Sequence, residues 1–504
     1  MSHGTNRRSF LQTTALGGAL GLSGIQTLPR VSAADATLNE SLVAFGPDVE
    51  PLVRLVEETP RERLLEEFAA RIRAGASYRQ VLAALMLAGI RNVQPRPAVG
   101  FKFHSVLVVN ACYVASLSGP DEDRWLPIFW ALDYFKTAQA EESRKTGWRM
   151  PAVRTGQIPV GPAAREAFIT AMDRWDVEAA DVATAGIVRT LPATEVFELF
   201  ARYAARDFRS IGHKAIFLAN AWRTLQVIGW DHAEPVLRSL TFALLNHEGE
   251  PDPATHDLGP DQPWRNNAAL LEKVPAGWLQ GTTSTAATRE QIALTRTATA
   301  DAAASAAVSQ LAAGQSAAGI WDGNFLAAGE LLMRQPGIIS LHGLTTVNAL
   351  HYLWRSVGDT ALRQRLLLQA CSFSSLFRQA AERRGELQSL TIDALQQPSS
   401  DKPPTTDEIF ADISRDGLTA ARKLLSLVTA GGDPLSVIDT ARRYVFLKGR
   451  DAHDYKFSTA VLEDWSQISP EWRPQFLALS VFNLKGSGDA DSPLVERTRA
   501  ALKG

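Results

Sequence analysis

The stretch Arg61–Ile90, RERLLEEFAARIRAGASYRQVLAALMLAGI, decides the fold class. Its apolar residues recur at three- and four-residue spacing, first over Arg61–Ala74 and again over Ser77–Ile90, which is the period of an amphipathic helix. Ser77 stands where a helix cap is needed, and Gln80 follows at the capping-box position. The same period returns over Thr194–Phe208 and over the Ala-, Thr- and Ser-rich segment Thr282–Gln315, which has no strong breaker before Gly314 and reads as mostly one long helix. Sustained alternation of period two is hard to find. The chain therefore reads as all-α: a large multi-helix bundle or array of antiparallel helix pairs, with about 15 to 20 helices.

Two stretches break the pattern. Residues 249–263, GEPDPATHDLGPDQP, combine Pro, Gly and Asp without periodicity and form a long loop. Residues 396–406, QQPSSDKPPTT, form a linker-like insertion.

Four further helical stretches share one arrangement. They are FHSVLVVNACYVAS from Phe103, GHKAIFLANAWRTL from Gly212, LHGLTTVNALHYLW from Leu341 and AHDYKFSTAVLEDW from Ala452. Each sets a histidine (His104, His213, His342, His453) at the start of an apolar helix. Two turns on come small residues, with Asn110, Asn220, Asn348 or Thr459 within one residue of register. Imidazole is the side chain best suited to proton transfer and metal ligation near neutral pH, and the chain has only nine histidines. Four at one kind of local address are candidates for a shared centre, and the sequence leaves open whether they converge. Lys456 lies three residues after His453, on the same helix face, where it would hold the imidazole neutral or bind a developing anion. Asn110, Asn220 and Asn348 are hydrogen-bonding candidates for a substrate. A transition metal held by the four histidines is an open alternative to histidine acid–base chemistry. So is the plainer one, in which each ring is a satisfied polar group of the core. A weaker metal candidate is the acidic loop around His247 and His256. Glu330, amid apolar residues, reads as a buried acid paired with Arg334.

At the N-terminus Asn6-Arg7-Arg8-Ser9-Phe10-Leu11-Gln12 precedes a weakly apolar, Gly-rich run to Ile25 and small-residue cleavage options around Ala33–Ala36. It resembles a twin-arginine export signal, so residues 1–36 are expected to be removed. The resemblance implies a periplasmic or extracytoplasmic protein carried across folded by the twin-arginine machinery. The formal net charge of −2 offers no basic field for nucleic acid, and no apolar run of spanning length follows the signal. Cys112 and Cys371 stand alone, without CxxC or CxxCH, which removes zinc-ribbon and covalent-haem readings. There is no ExxH for a carboxylate-bridged di-iron site, no GxSxG elbow and no GxGxxG dinucleotide motif.

The segments at His104 and His213, and most specifically Asp451-Ala452-His453-Asp454-Tyr455-Lys456, resemble the questin oxidase-like family, in which histidine-led apolar helices recur and a DAHxxK element lies near the C-terminus. The likeness spans most of residues 37–504. It implies an oxidoreductase that inserts oxygen into an aromatic, quinone-like substrate, with NADPH as the associated reductant. Two features depart from that pattern: His104 stands without the denser histidine cluster of the family's first helix, and the export signal sits oddly with a cytoplasmic reductant. The expected function is an exported oxidoreductase acting on a small apolar or aromatic substrate in a histidine-lined pocket. In it a neutral histidine removes a proton and the resulting carbanion meets oxygen. The rival is a noncatalytic helical scaffold or a ligand or metal carrier.

Overall fold

The computed structural model describes residues 41–96, 101–154, 156, 158–395 and 403–503. The twin-arginine stretch 1–36 and most of the 396–406 insertion lie outside them. The chain is 73% helical, with 22 α-helices and no strand among the described residues. The expected all-α class is what the molecule shows.

The helices run in chain order as α1 (Glu50–Glu58), α2 (Arg61–Arg73), α3 (Tyr78–Asn92), α4 (Phe101–Ser118), α5 (Leu126–Lys145), α6 (Pro162–Asp173), α7 (Val177–Thr190) and α8 (Ala193–Ala204). Then come α9 (His213–Ile228), α10 (Ala233–Leu244), α11 (Gln262–Leu270), α12 (Thr285–Thr295), α13 (Ala300–Ala312), α14 (Ala317–Arg334), α15 (Ile338–Ser356) and α16 (Thr360–Glu382). The chain closes with α17 (Thr406–Ile413), α18 (Gly417–Thr429), α19 (Pro434–Lys448), α20 (Ala452–Gln467), α21 (Arg473–Ser480) and α22 (Leu494–Lys503).

Local chemistry explains the boundaries. Ser77 accepts from the Gln80 amide while the Gln80 side chain returns to the Ser77 amide, completing the expected capping box. Thr405 and Glu408 do the same for α17, and Asp451 and Asp454 for α20. Such caps satisfy amides that the first helical turn leaves orphaned, each worth about 1 kcal/mol. The segment Thr282–Gln315 is not one long helix. It breaks between α12 and α13 because the Thr299 side chain accepts from the Ala302 amide and starts a new helix, a local bond that competes with helix continuation. The 249–263 stretch is irregular up to Leu258, but its end already belongs to the start of α11.

Four helices form the centre. α4 packs on α9, α9 on α15, α15 on α20, and α20 closes the ring on α4. Around it α5 lies on α4, α16 on α15, α10 on α9, and α14 bridges α15 to α12 and α21. The second-turn residues explain the close approach within the ring: Ala111, Ala219, Ala349 and Ala460 are all buried, and short side chains let helix backbones near one another. One buried acid shows how charge is held in the core. Glu330 is 2% exposed and receives a bidentate pair from Arg296 at 2.7 Å on both oxygens, with the Ile392 amide also at 2.7 Å. The expected partner Arg334 instead donates to the Gln388 carbonyl, because α12 brings Arg296 to the buried acid from a neighbouring helix. Removing one partner of such a pair strands the other, so Glu330→Leu should cost about 3 kcal/mol in urea unfolding. A change under about 0.5 kcal/mol would show that the pair is not holding α12 to α14.

Candidate metal centre

The ring helices all present their first turns to one point. His213 is the first residue of α9, His453 the second of α20, His104 the fourth of α4 and His342 the fifth of α15. Their rings touch: His104 and His213 stack with centroids 5.0 Å apart, His213 and His342 lie 4.5 Å apart, and His453 meets His104 edge-on at 4.4 Å and His342 at 5.0 Å. One ligand nitrogen from each of the four lies within 4.8 Å of the others. The repeated motif left open whether the four histidines meet, and the structure brings them together. His104, His213 and His342 are buried, whereas the His453 side chain retains 17% of its exposure, marking the side nearest solvent.

Hydrogen bonds set which nitrogen faces the centre. His213 Nδ1 is 2.6 Å from the Ser210 carbonyl, and His342 Nδ1 is 2.6 Å from the Ile338 carbonyl. A carbonyl oxygen only accepts, so Nδ1 carries the proton and Nε2 presents a lone pair. His453 Nδ1 donates to the Asp451 carboxylate, and its buried Nε2 has no hydrogen-bond partner. The inward distances are 2.8 Å for His104 Nε2 to His213 Nε2 and 3.2 Å for His342 Nε2 to His213 Nε2. The first is a hydrogen bond if His104 carries its proton on Nε2. The second brings two lone pairs face to face, which is repulsive unless a cation lies between them.

Burial keeps the rings neutral, with one nitrogen of each free of a proton. Burial, with Lys456 next, holds His104 and His213 well below the usual imidazole range. Burial and His213 do the same for His342. Burial also lowers His453, outweighing the opposing pull of its bond to Asp451. Lys456 is 4% exposed, its Nζ has no hydrogen-bond partner, and burial pushes it down to about 7. Five nitrogen bases thus stand together, predominantly neutral above pH 7.

This donor set fits a first-row transition ion. Imidazole suits zinc, copper, iron and nickel, and metal–nitrogen bonds of about 2.1 Å set adjacent ligands about 3.0–3.4 Å apart. The His213–His342 separation lies in that range, His104–His213 at 2.8 Å lies just below it, and the 4.8 Å within which all four nitrogens lie is wider, so the rings would shift on binding. The outer partners also match: ligating histidines characteristically give their other N–H to a carbonyl or carboxylate, as His213, His342 and His453 do here. Among the described residues no other group of three or more histidine, cysteine or carboxylate side chains is so arranged, including around His247 and His256. His247 bonds the Leu245 carbonyl, and His256 the Asp252 carbonyl. His351 is a core histidine between Trp321, Phe325 and Trp354, lowered to about 3 by burial and then by Arg355.

The asparagines are placed differently from the histidines. Asn220 donates to the Leu107 carbonyl at 3.1 Å and accepts from Asn110 at 3.5 Å, tying α9 to α4. Asn348 donates to Asp464 at 2.8 Å and to Glu463 at 3.1 Å, tying α15 to α20, and Glu463 in turn pairs with Arg223. These amides join helices one to three turns below the imidazoles. Sequence reasoning gave Asp451 no part in the site, although its place two residues before a histidine is the spacing at which a capping carboxylate reaches Nδ1. It also had no means of finding the Ser210 and Ile338 carbonyls, which are backbone groups. Comparison with protein-family models, with curated proteins and with solved structures finds no match to this chain. The fold and site together define an all-α protein with a buried four-histidine centre.

Proposed function

We propose that the chain is an oxidoreductase of the questin oxidase-like type that holds one transition-metal ion on His104, His213, His342 and His453 and oxidises a small apolar or aromatic molecule. The observation that carries this reading is the gathering of one ring nitrogen from each of the four histidines within 4.8 Å, with Nε2 of His104, His213 and His342 in contact and the protons of three rings tied up on outer acceptors. Bound there, the ion would supply Lewis acidity and one-electron chemistry toward oxygen.

The chain's own groups do the rest. Four helix N-termini bring partial positive charge to the site and favour a negatively charged oxygen or enolate beside the histidines. Lys456, unpaired and lowered to about 7, is suited to accept a proton from a phenol or an activated C–H. Asp451 keeps His453 in the tautomer that presents Nε2. Reduction of dioxygen to peroxide, or incorporation of both its atoms, draws all its electrons from an electron-rich substrate; insertion of a single oxygen atom needs two further electrons to reduce the other atom to water, and for these NADPH is the reductant the resemblance implies. Export in the folded state would let the ion be loaded before crossing. A carrier reading has less support, because three of the four ligands are buried and release would need the ring helices to part.

Elemental analysis of the purified protein should find about one redox-active ion, iron or copper, per chain, removable by a chelator; stoichiometric zinc, which has no one-electron chemistry, would remove the redox role. Reconstituted protein should consume dioxygen with hydroxylated aromatics such as hydroxyanthraquinones. Metal below about a tenth of an ion per chain after reconstitution would remove the metal from the proposal. Stoichiometric metal without oxygen uptake on such a panel would remove the oxidase.

A further inference from the structure

The segment leading into His213 is the most strained backbone in the described chain. Ser210 (φ 58°), Ile211 (φ 44°) and Gly212 (φ 81°) are three consecutive residues in the left-handed region. A β-branched residue there is a genuine outlier, and such conformations persist only where surrounding structure over-determines them.

The surroundings do so from both sides. Asp207, 1% exposed, accepts from the Arg209 backbone amide at 2.9 Å before the turn and from Lys214 Nζ at 2.7 Å after it, so one carboxylate grips both ends. Arg209 is fixed again by a bidentate bond to Asp261 at 2.6 and 2.7 Å and by Glu250 at 2.6 Å. Lys214 also donates to the Leu244 carbonyl at 2.9 Å. Lys214 points away from His213, as adjacent helical residues do, yet it anchors the helix that carries it. The turn also lies against α15: a Cβ on Gly212 would stand 1.9 Å from Thr346 Oγ1, 2.7 Å from its Cγ2 and 2.8 Å from its Cβ. Thr346 is one turn beyond His342. The geometry achieved is the Ser210 carbonyl 2.6 Å from His213 Nδ1.

We infer that this left-handed turn, clamped by Asp207 and seated by Gly212 on Thr346, is a positioning element that fixes the His213 tautomer and its spacing to His342, and so sets the affinity and geometry of the metal site. Asp207 and Gly212 act here through His213 and touch no reacting atom. The inference rests on the metal reading of the preceding subsection.

The test uses Co2+ titrated into the metal-free full-length protein, with affinity taken from competition and geometry from the ligand-field absorption. Gly212→Ala should bind Co2+ at least about tenfold more weakly, the range for lost outer partners of a ligand, and with an altered spectrum. Adding Thr346→Gly clears all three close atoms and should recover part of the lost affinity, the strain of an alanine at φ 81° remaining. Ile211→Gly should keep wild-type affinity, because glycine enters the left-handed region freely. Far-ultraviolet circular dichroism confirms that each variant is folded. Wild-type affinity and spectrum in Gly212→Ala would overturn the inference, and so would a loss that Thr346→Gly leaves wholly unrelieved. If the wild type itself takes up no Co2+, the metal reading fails first, which its own arm of the titration shows.

Discussion

His213→Ala should abolish tight metal binding, weakening it by well over 100-fold. His213 Nε2 is the hub of the cluster, 2.8 Å from His104 Nε2 and 3.2 Å from His342 Nε2. Loss of an outer hydrogen-bond partner already costs 10- to 100-fold, and loss of a ligand must exceed that. The effect should also appear as stability. Metal at a thousand times its dissociation constant stabilises a protein by about 4 kcal/mol, provided it binds only the native state. Denaturation with and without added metal should therefore separate the wild type from His213→Ala, while the two metal-free proteins stay closer together. His351→Ala is the matching control. It opens a cavity among Trp321, Phe325 and Trp354 and should cost about 2–4 kcal/mol, yet leave the metal increment in place. Equal metal increments in wild type and His213→Ala would remove His213 from the site.

The helical class was legible because period 3.6 repeats along the chain and the caps are spelled out, as at Ser77 with Gln80. The break at Thr299 was harder to read, since an alanine-rich stretch carries high helix propensity throughout and one hydroxyl decides where it restarts. The four histidines could be grouped because each opens an apolar helix, a local property. Their meeting is a property of the ring of α4, α9, α15 and α20, joined by contacts between residues more than a hundred positions apart. Small residues two turns below each histidine left room for a ligand or for a close helix contact; the structure gives that space to neighbouring helices, as where Thr459 reaches the Ala111 carbonyl at 3.3 Å. Glu330 shows the same limit. Arg334, four residues along its own helix, was the visible candidate, whereas the true partner Arg296 arrives from another helix.

Lys456→Met should stabilise the metal-free protein by about 3–5 kcal/mol near pH 7. The native Lys456 amine is fully enclosed, without a hydrogen-bond partner, and lowered from 10.5 to about 7 by burial. In the unfolded chain the same amine titrates near 10.4, so between about pH 7 and 10 the unfolded state holds a proton that the native state has lost. Stability therefore rises with pH across that window, by about 1.4 kcal/mol per unit for one proton, and the penalty levels off below about pH 7 where both states are protonated. Methionine carries no proton in either state and matches the length and apolar stem of lysine. The advantage of the variant should thus be greatest at and below pH 7 and vanish near pH 10. Lys214, lowered to about 8, adds a similar slope to both proteins and cancels in the comparison. Urea unfolding of the metal-free pair at pH 7, 8.5 and 10 measures the difference, and a constant difference across those values would show that the native amine keeps its proton. If Lys456 takes the substrate proton, the loaded Lys456→Met enzyme should be more stable in its scaffold and about 100- to 10,000-fold slower in turnover. Retained metal with lost turnover would separate that role from ligation.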